Sequence, residues 1–262
     1  MNETVSVVII VLIAVLVSLA GLALVRRMMP IGDLAEHTDV AGYVYAVIGV
    51  IYAVVLALVV IAAWEEYRDA REAAADEASA VLNIARAANG WPTGDRDEVE
   101  TALIAYARHV VDDEWPAMAR GDFGPTADTI TMNQLWQALN EADESAVAKS
   151  ASYEVALQQL DSLGQARGNR LLLGQEGLPM SMAAILIIGA VVTVGFTYLF
   201  DVDNGRLHAL MITSLTVLVV LLLLLQFQLG LPFQGVSAIE PTAMNLVLAE
   251  IDSAGGIPGM NP

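Results

Sequence analysis

The chain is 262 residues long, 56% hydrophobic and strongly acidic, with 30 Asp and Glu against 12 Lys and Arg and a formal net charge of -18. That imbalance excludes nucleic-acid binding, which depends on Lys and Arg neutralising phosphates, and equally a polybasic clamp on anionic lipid. With no cysteine, disulfides and thiolate metal sites are excluded as well.

Four apolar runs form two hairpins, residues 4–25 with 42–64 and residues 179–200 with 208–229. Each reaches or passes the roughly 20 residues needed to cross about 30 Å of hydrocarbon at about 1.5 Å per residue. Lipid offers backbone polar groups no water, so each run must be a helix that satisfies its own hydrogen bonds. The first run starts almost at Met1, with only Asn2 and Glu3 before it and no base. A signal peptide wants a basic start and an apolar core of about 7 to 15 residues, so this run reads as a true span. An even number of spans places both ends of the chain on one side of the bilayer.

The second run, Gly42 to Trp64, leads straight into Glu65, Glu66, Tyr67, Arg68, Asp69, Ala70, Arg71 and Glu72, then an alanine-rich stretch to Ala88. No Gly or Pro lies between Gly49 and Gly90, so one helix is predicted from Gly42 to Ala88, about 70 Å long. Asn89-Gly90 and Pro92 stop it. A soluble helix starts near Thr93 or Asp95 and sets Val99, Leu103, Tyr106 and Val110 on one face; Pro116 kinks or ends it and Arg120-Gly121 closes the segment. After a breaker-rich loop from Gly121 to Pro125, Thr126 or Asp128 opens a helix carrying Ile130, Leu135 and Leu139. A last soluble helix, from about Ser145 to Leu173, aligns Tyr153, Leu157, Leu160 and Leu171 before Gly174. Residues 65–178 hold 21 acids against 9 bases. Asp201-Val202-Asp203-Asn204-Gly205 opens like a calcium loop, but its Gly comes one place early and the twelfth position, Ile212, is apolar, so it reads as a turn. Past the last span, Thr242 to Ile251 forms a short helix at the membrane interface or against the bundle, and Asp252 to Pro262 frays. The predicted fold is all-α: a membrane hairpin at 1–64, an acidic helical region at 65–178, a second hairpin at 179–229 and a tail at 230–262.

The stretch Ala41 to Ala75, with Tyr-Ala-Val-Ile-Gly-Val-Ile-Tyr-Ala-Val-Val-Leu-Ala at 45–57 and Trp-Glu-Glu-Tyr at 64–67, resembles the bestrophin-like family of prokaryotic four-span membrane proteins. So do Asp-Asp-Glu-Trp-Pro-Ala-Met at 112–118 and Pro-Phe-Gln-Gly at 232–235. The resemblance covers nearly the whole chain. Bestrophins proper, more remotely similar, are pentameric anion channels whose second membrane helix lines the pore and extends into the cytosol. The phenylalanine-rich neck and the calcium-binding acidic cluster of those channels have no counterpart here.

The resemblance implies a homo-oligomer in the bilayer with a pore along the second span, where Tyr45, Gly49, Tyr52 and Leu56 share a face. The alternative reading makes Tyr43, Tyr45, Trp64 and Tyr67 interfacial belts and packs Tyr52 against a neighbouring helix. Small residues mark close helix contacts: Gly42, Ala46, Ala53 and Ala57 in the second span, Ala14, Ser18 and Gly21 in the first, and Gly189, Thr193 and Thr197 in the third. Whether they join spans of one chain or of neighbours stays open.

Pumps place ionisable groups in the bilayer, and these span interiors contain none, His208 lying at the edge of the fourth and Gln226 and Gln228 reading as interfacial. His109 with Asp112 and Asp113 reads as a solvated pair, because no second ligand pair accompanies it. No enzymatic motif is present, so neither an enzyme nor a cofactor is expected. The competing function is a non-conducting membrane scaffold whose acidic bundle docks a protein partner. Arg26-Arg27 and Arg206 favour a soluble region outside the cytoplasm, whereas the resemblance implies a cytosolic one.

Overall fold

Sustained apolar and alanine-rich helical patterning gives helices throughout the computed structural model, which describes residues 3–28, 38–123, 129–143, 151–175, 177–200, 202 and 204–255. In chain order these are α1 (Glu3–Met28), α2 (Thr38–Ala88), α3 (Thr93–His109), a π-helical turn (Val110–Glu114), α4 (Trp115–Ala119), α5 (Thr129–Asp143), α6 (Ala151–Gln175), α7 (Met180–Phe196), a 3₁₀ turn (Thr197–Leu199), α8 (Gly205–Leu229) and α9 (Thr242–Gly255). The starts predicted near Thr126 or Asp128 and near Ser145, the acids Asp201 and Asp203, and the tail at 256–262 lie outside the described residues.

The chain divides into a membrane unit, residues 1–65 with 178–230, and a soluble unit, residues 66–177 with 231–262. α2 is a single helix of 51 residues, about 77 Å long, contributing its first part to the membrane unit and the rest to the soluble unit. It ends at Ala88, and the predicted breakers Asn89 and Gly90 form the turn beyond it.

In the membrane unit α1 packs along α8, and α7 lies against α8 and α1. Tyr52, Leu56 and Val59 of α2 share one buried cluster with Leu186, Ala190 and Val219. A second cluster joins Leu22, Val194 and Ile212. α7 starts after Pro179, whose missing N–H would be orphaned at a helix start anyway. Asn204 opens α8 by accepting from the backbone N–H of Arg206 and Leu207.

In the soluble unit α3 packs on α5 and on α9, and α5 touches α6. Three sequence expectations need correction. Pro116 does not end the helical run. The π turn absorbs it, Trp115 N–H bonding five residues back to Val110 O and α4 continuing directly. The buried stripe of α6 includes Tyr153, Ala156, Leu160, Leu163, Ala166, Arg170 and Gly174, while Leu157 and Leu171 are only half-buried. α9 takes the second of its two predicted places, against the soluble bundle, with Met244, Val247 and Ile251 buried there, and it continues as helix through Asp252 to Gly255, residues expected to fray.

Candidate functional site

Two places concentrate the residues singled out by sequence: the second span and the core of the soluble unit.

On the second span the four pore candidates separate. Tyr52 and Leu56 are buried within the chain, and the Tyr52 hydroxyl donates to Leu186 O at 3.2 Å. Tyr52 comes this close because residue 189 is glycine: a Cβ there would stand 2.5 Å from the Tyr52 ring. Tyr45 stacks on Phe196 at 6.2 Å and meets Phe200 edge-on at 5.4 Å. Gly49 is half-buried, with nothing near the position its Cβ would take. The opposite face of the span is bare in one chain, with Val47, Val50, Val54 and Ile61 exposed. The small residues Ala46, Ala53 and Ala57 are exposed as well, and Gly42 has open space beside it. Small residues elsewhere work inside the chain: Gly21 lies against the Tyr198 ring, and Thr193 is buried.

Two polar residues of the fourth span differ from expectation. His208 is buried: Arg26 Nη2 donates to its Nδ1 at 2.9 Å, and its Nε2 lies 3.0 Å from Thr197 O. An arginine donor at Nδ1 leaves the ring proton on Nε2, which donates to Thr197 O. Arg26 also donates to Val202 O at 2.8 Å, fixing the short turn between the last two spans. Gln226 is fully buried, and neither amide atom has a hydrogen-bond partner among the described residues.

The soluble core is built around charge. Arg170, wholly buried on α6, gives Glu77 of α2 two bonds, Nε to Oε2 at 2.5 Å and Nη2 to Oε1 at 3.1 Å. It also pairs with Glu114, whose other oxygen accepts from Arg167 Nη2 at 2.6 Å. The π turn brings Glu114 to this cluster, since an extra residue in one turn rotates the next stretch of helix by about 100° around the axis. Tyr106 donates to Glu77 Oε1 at 2.6 Å, the Arg170 guanidinium lies 4.9 Å over the Trp115 ring, and its Nη1 approaches Met118 Sδ at 3.1 Å. Burial works to raise the Glu114 carboxyl, but Arg170 and Arg167 outweigh it and hold the group below the ordinary carboxylate range. Burial similarly opposes the charge on Arg170, and Glu77 and Glu114 more than offset it, raising the guanidinium further. Burial first and Glu77 second push the Tyr106 hydroxyl well above its ordinary value. Through these pairs the cluster clamps α2, α3, the π turn and α6 together.

The motifs that carried the resemblance meet here. Trp115 of the 112–118 motif donates to Ile239 O at 2.8 Å and meets Phe233 of the 232–235 motif edge-on at 5.7 Å. Gln234 lies against Gly121, whose φ of 79° suits glycine, and Gly235 has φ 76°. Tyr67 donates to Ser237 O at 2.9 Å. Neither Glu77 nor Arg170 was singled out by sequence, though each is a charge on an otherwise apolar helical face, the signal that could have found them. His109 Nδ1 lies 2.9 Å from an exposed Asp113 oxygen; among the described residues no three His, Asp or Glu side chains gather as a metal site.

Four long apolar helices joined to a helical soluble unit with a charged core define a multi-pass helical membrane protein. The family model of the Bestrophin-like domain matches residues 12–244. The chain belongs to the bestrophin-like family. Its fold is similar to solved structures of a bacterial bestrophin homologue from Klebsiella pneumoniae carrying point mutations. One is 13% identical with a TM-score of 0.72, covering 96% of this chain and 99% of that one. A second is 15% identical with a TM-score of 0.73, covering 94% and 98%. A third is 13% identical with a TM-score of 0.73, covering 98% and 99%. No curated protein sequence matches.

Proposed function

We propose that this bestrophin-like membrane protein assembles with copies of itself into an ion channel, and that the second span borders the pore. The observation that carries this reading is the bare face of α2: Val47, Val50, Val54 and Ile61 are exposed while the opposite face is buried in the chain. In this proposal the pore-facing stripe runs along that bare face, on uncharged side chains that gate by dewetting when the constriction narrows. Gly49, Gly42, Ala46 and Ala53 border the stripe and meet the neighbouring copy, where small residues allow close approach. Tyr45, Tyr52 and Leu56 then hold the stripe in position from behind. The soluble unit is proposed to lie outside the cytoplasm, from Arg26-Arg27 and Arg206.

The test is conductance of the purified protein in planar bilayers. Ohmic single-channel currents, enlarged by Val54→Ser because a polar side chain wets the constriction, are expected. An intact oligomer that conducts nothing contradicts the reading. If it also retains a stoichiometric partner in mild detergent, the acidic bundle acts as a docking surface instead.

A further inference from the structure

Three hydroxyls line one wall of a cleft inside the membrane unit. Thr216 Oγ1 donates to Ser18 Oγ at 3.0 Å, and Ser18 Oγ lies 3.1 Å from the Tyr198 hydroxyl. Three hydroxyls carry three protons, and these two bonds use two of them. Whichever way the Ser18–Tyr198 bond runs, the remaining proton finds no acceptor among the described residues.

The cleft beside them has a volume of about 260 Å³, with Ala14, Val17, Ala190, Val191 and Gly195 among its walls. Its lining carries no charged side chain. Val17 and Val191 are exposed at its rim, so it opens sideways toward lipid. Ser18 lies eight residues before Arg26, about 12 Å along the helix, which sets the cleft in hydrocarbon rather than among headgroups. No water reaches a spare donor at that depth, and an unmade hydrogen bond there is costly. An apolar cavity of roughly 150 Å³ accepts benzene, so this one has room for a ring or short chain with a polar arm.

We infer that the cleft binds a small uncharged amphiphile dissolved in the bilayer, an apolar body with one acceptor oxygen that takes the spare hydroxyl proton of the Ser18–Tyr198–Thr216 chain. A plain acyl chain would fill the space but leave that proton unbonded. A charged ligand would find no counter-ion in the walls. Such binding does not depend on conduction.

Gly195 supplies a clean variant, because a Cβ there meets nothing within 4 Å and a larger side chain can enter the cleft. The full chain in phosphatidylcholine nanodiscs is photolabelled with a diazirine-bearing octanol and, separately, with the matching diazirine alkane, and the adducts are mapped by mass spectrometry. The alcohol should label segments 14–18 and 190–195 about fivefold to tenfold more than the alkane does, the worth of one hydrogen bond. Excess benzyl alcohol should compete, and Gly195→Leu should remove the preference. Should that variant fail to fold, Val191→Phe at the exposed rim serves the same purpose, and Ser18→Ala should equalise the two probes. Equal labelling by alcohol and alkane, or alcohol labelling spread evenly over all lipid-facing segments, would overturn the inference.

Discussion

The two units of this chain treat buried polarity in opposite ways. The soluble unit buries full charges and satisfies each of them: Glu77, Glu114 and Arg170 form one network with Tyr106 and the half-buried Arg167. The membrane unit keeps charge out of its span interiors and buries neutral groups incompletely satisfied, Gln226 and the Thr193 hydroxyl having no partner among the described residues. A lone charge in a protein interior costs far more than a lone neutral amide or hydroxyl, so the charges are all paired while the neutral groups are left to whatever partner the assembled protein or the bilayer supplies. The soluble unit is thus fixed by its charges, and the membrane unit by close packing around small residues.

The largest expected effect breaks the soluble network. Arg170→Met leaves Glu77 and Glu114 buried without their shared cation and should cost about 3 to 5 kcal/mol, seen as early loss of helicity in thermal melts. Next, Gly189→Ala sets a methyl group against the Tyr52 ring; overpacking of this kind costs about 1 to 3 kcal/mol, and denaturant titration in detergent should show it. Gln226→Leu should go the other way, leaving stability unchanged or raising it by about 1 kcal/mol, because it removes an unsatisfied buried amide. A clear loss would mean that Gln226 has a partner in the assembled protein.

The smallest effect is in pH. Glu114 is held below the ordinary carboxylate range, so its contribution is complete above the unfolded value of about 4.3 and is lost as pH falls through the lower folded value. Melting temperatures between pH 7 and pH 3 should fall more steeply for the parent chain than for Glu114→Gln.

The spans were legible from unbroken apolar length, and the long second helix from the lack of any Gly or Pro between Gly49 and Gly90, features that admit few alternatives. The π turn was not, since Pro116 ordinarily marks an ending and nothing local announces a five-residue hydrogen bond. The charged core escaped for a related reason: Glu77 and Arg170 are 93 residues apart, and only the fold brings them together. Along the second span periodicity identified a face without saying what covers it, and Tyr52 and Leu56 prove to be covered by the same chain.

The chain has no cysteine, so a single cysteine placed along the second span is the only thiol present. The most direct test is the current through reconstituted protein as a water-soluble thiol reagent is applied to each variant from Val47 to Ile61. Block at positions 47, 50, 54 and 61, with none at 52, 56 and 59, is the predicted pattern. Block at 52 and 56 with the bare stripe silent would contradict it.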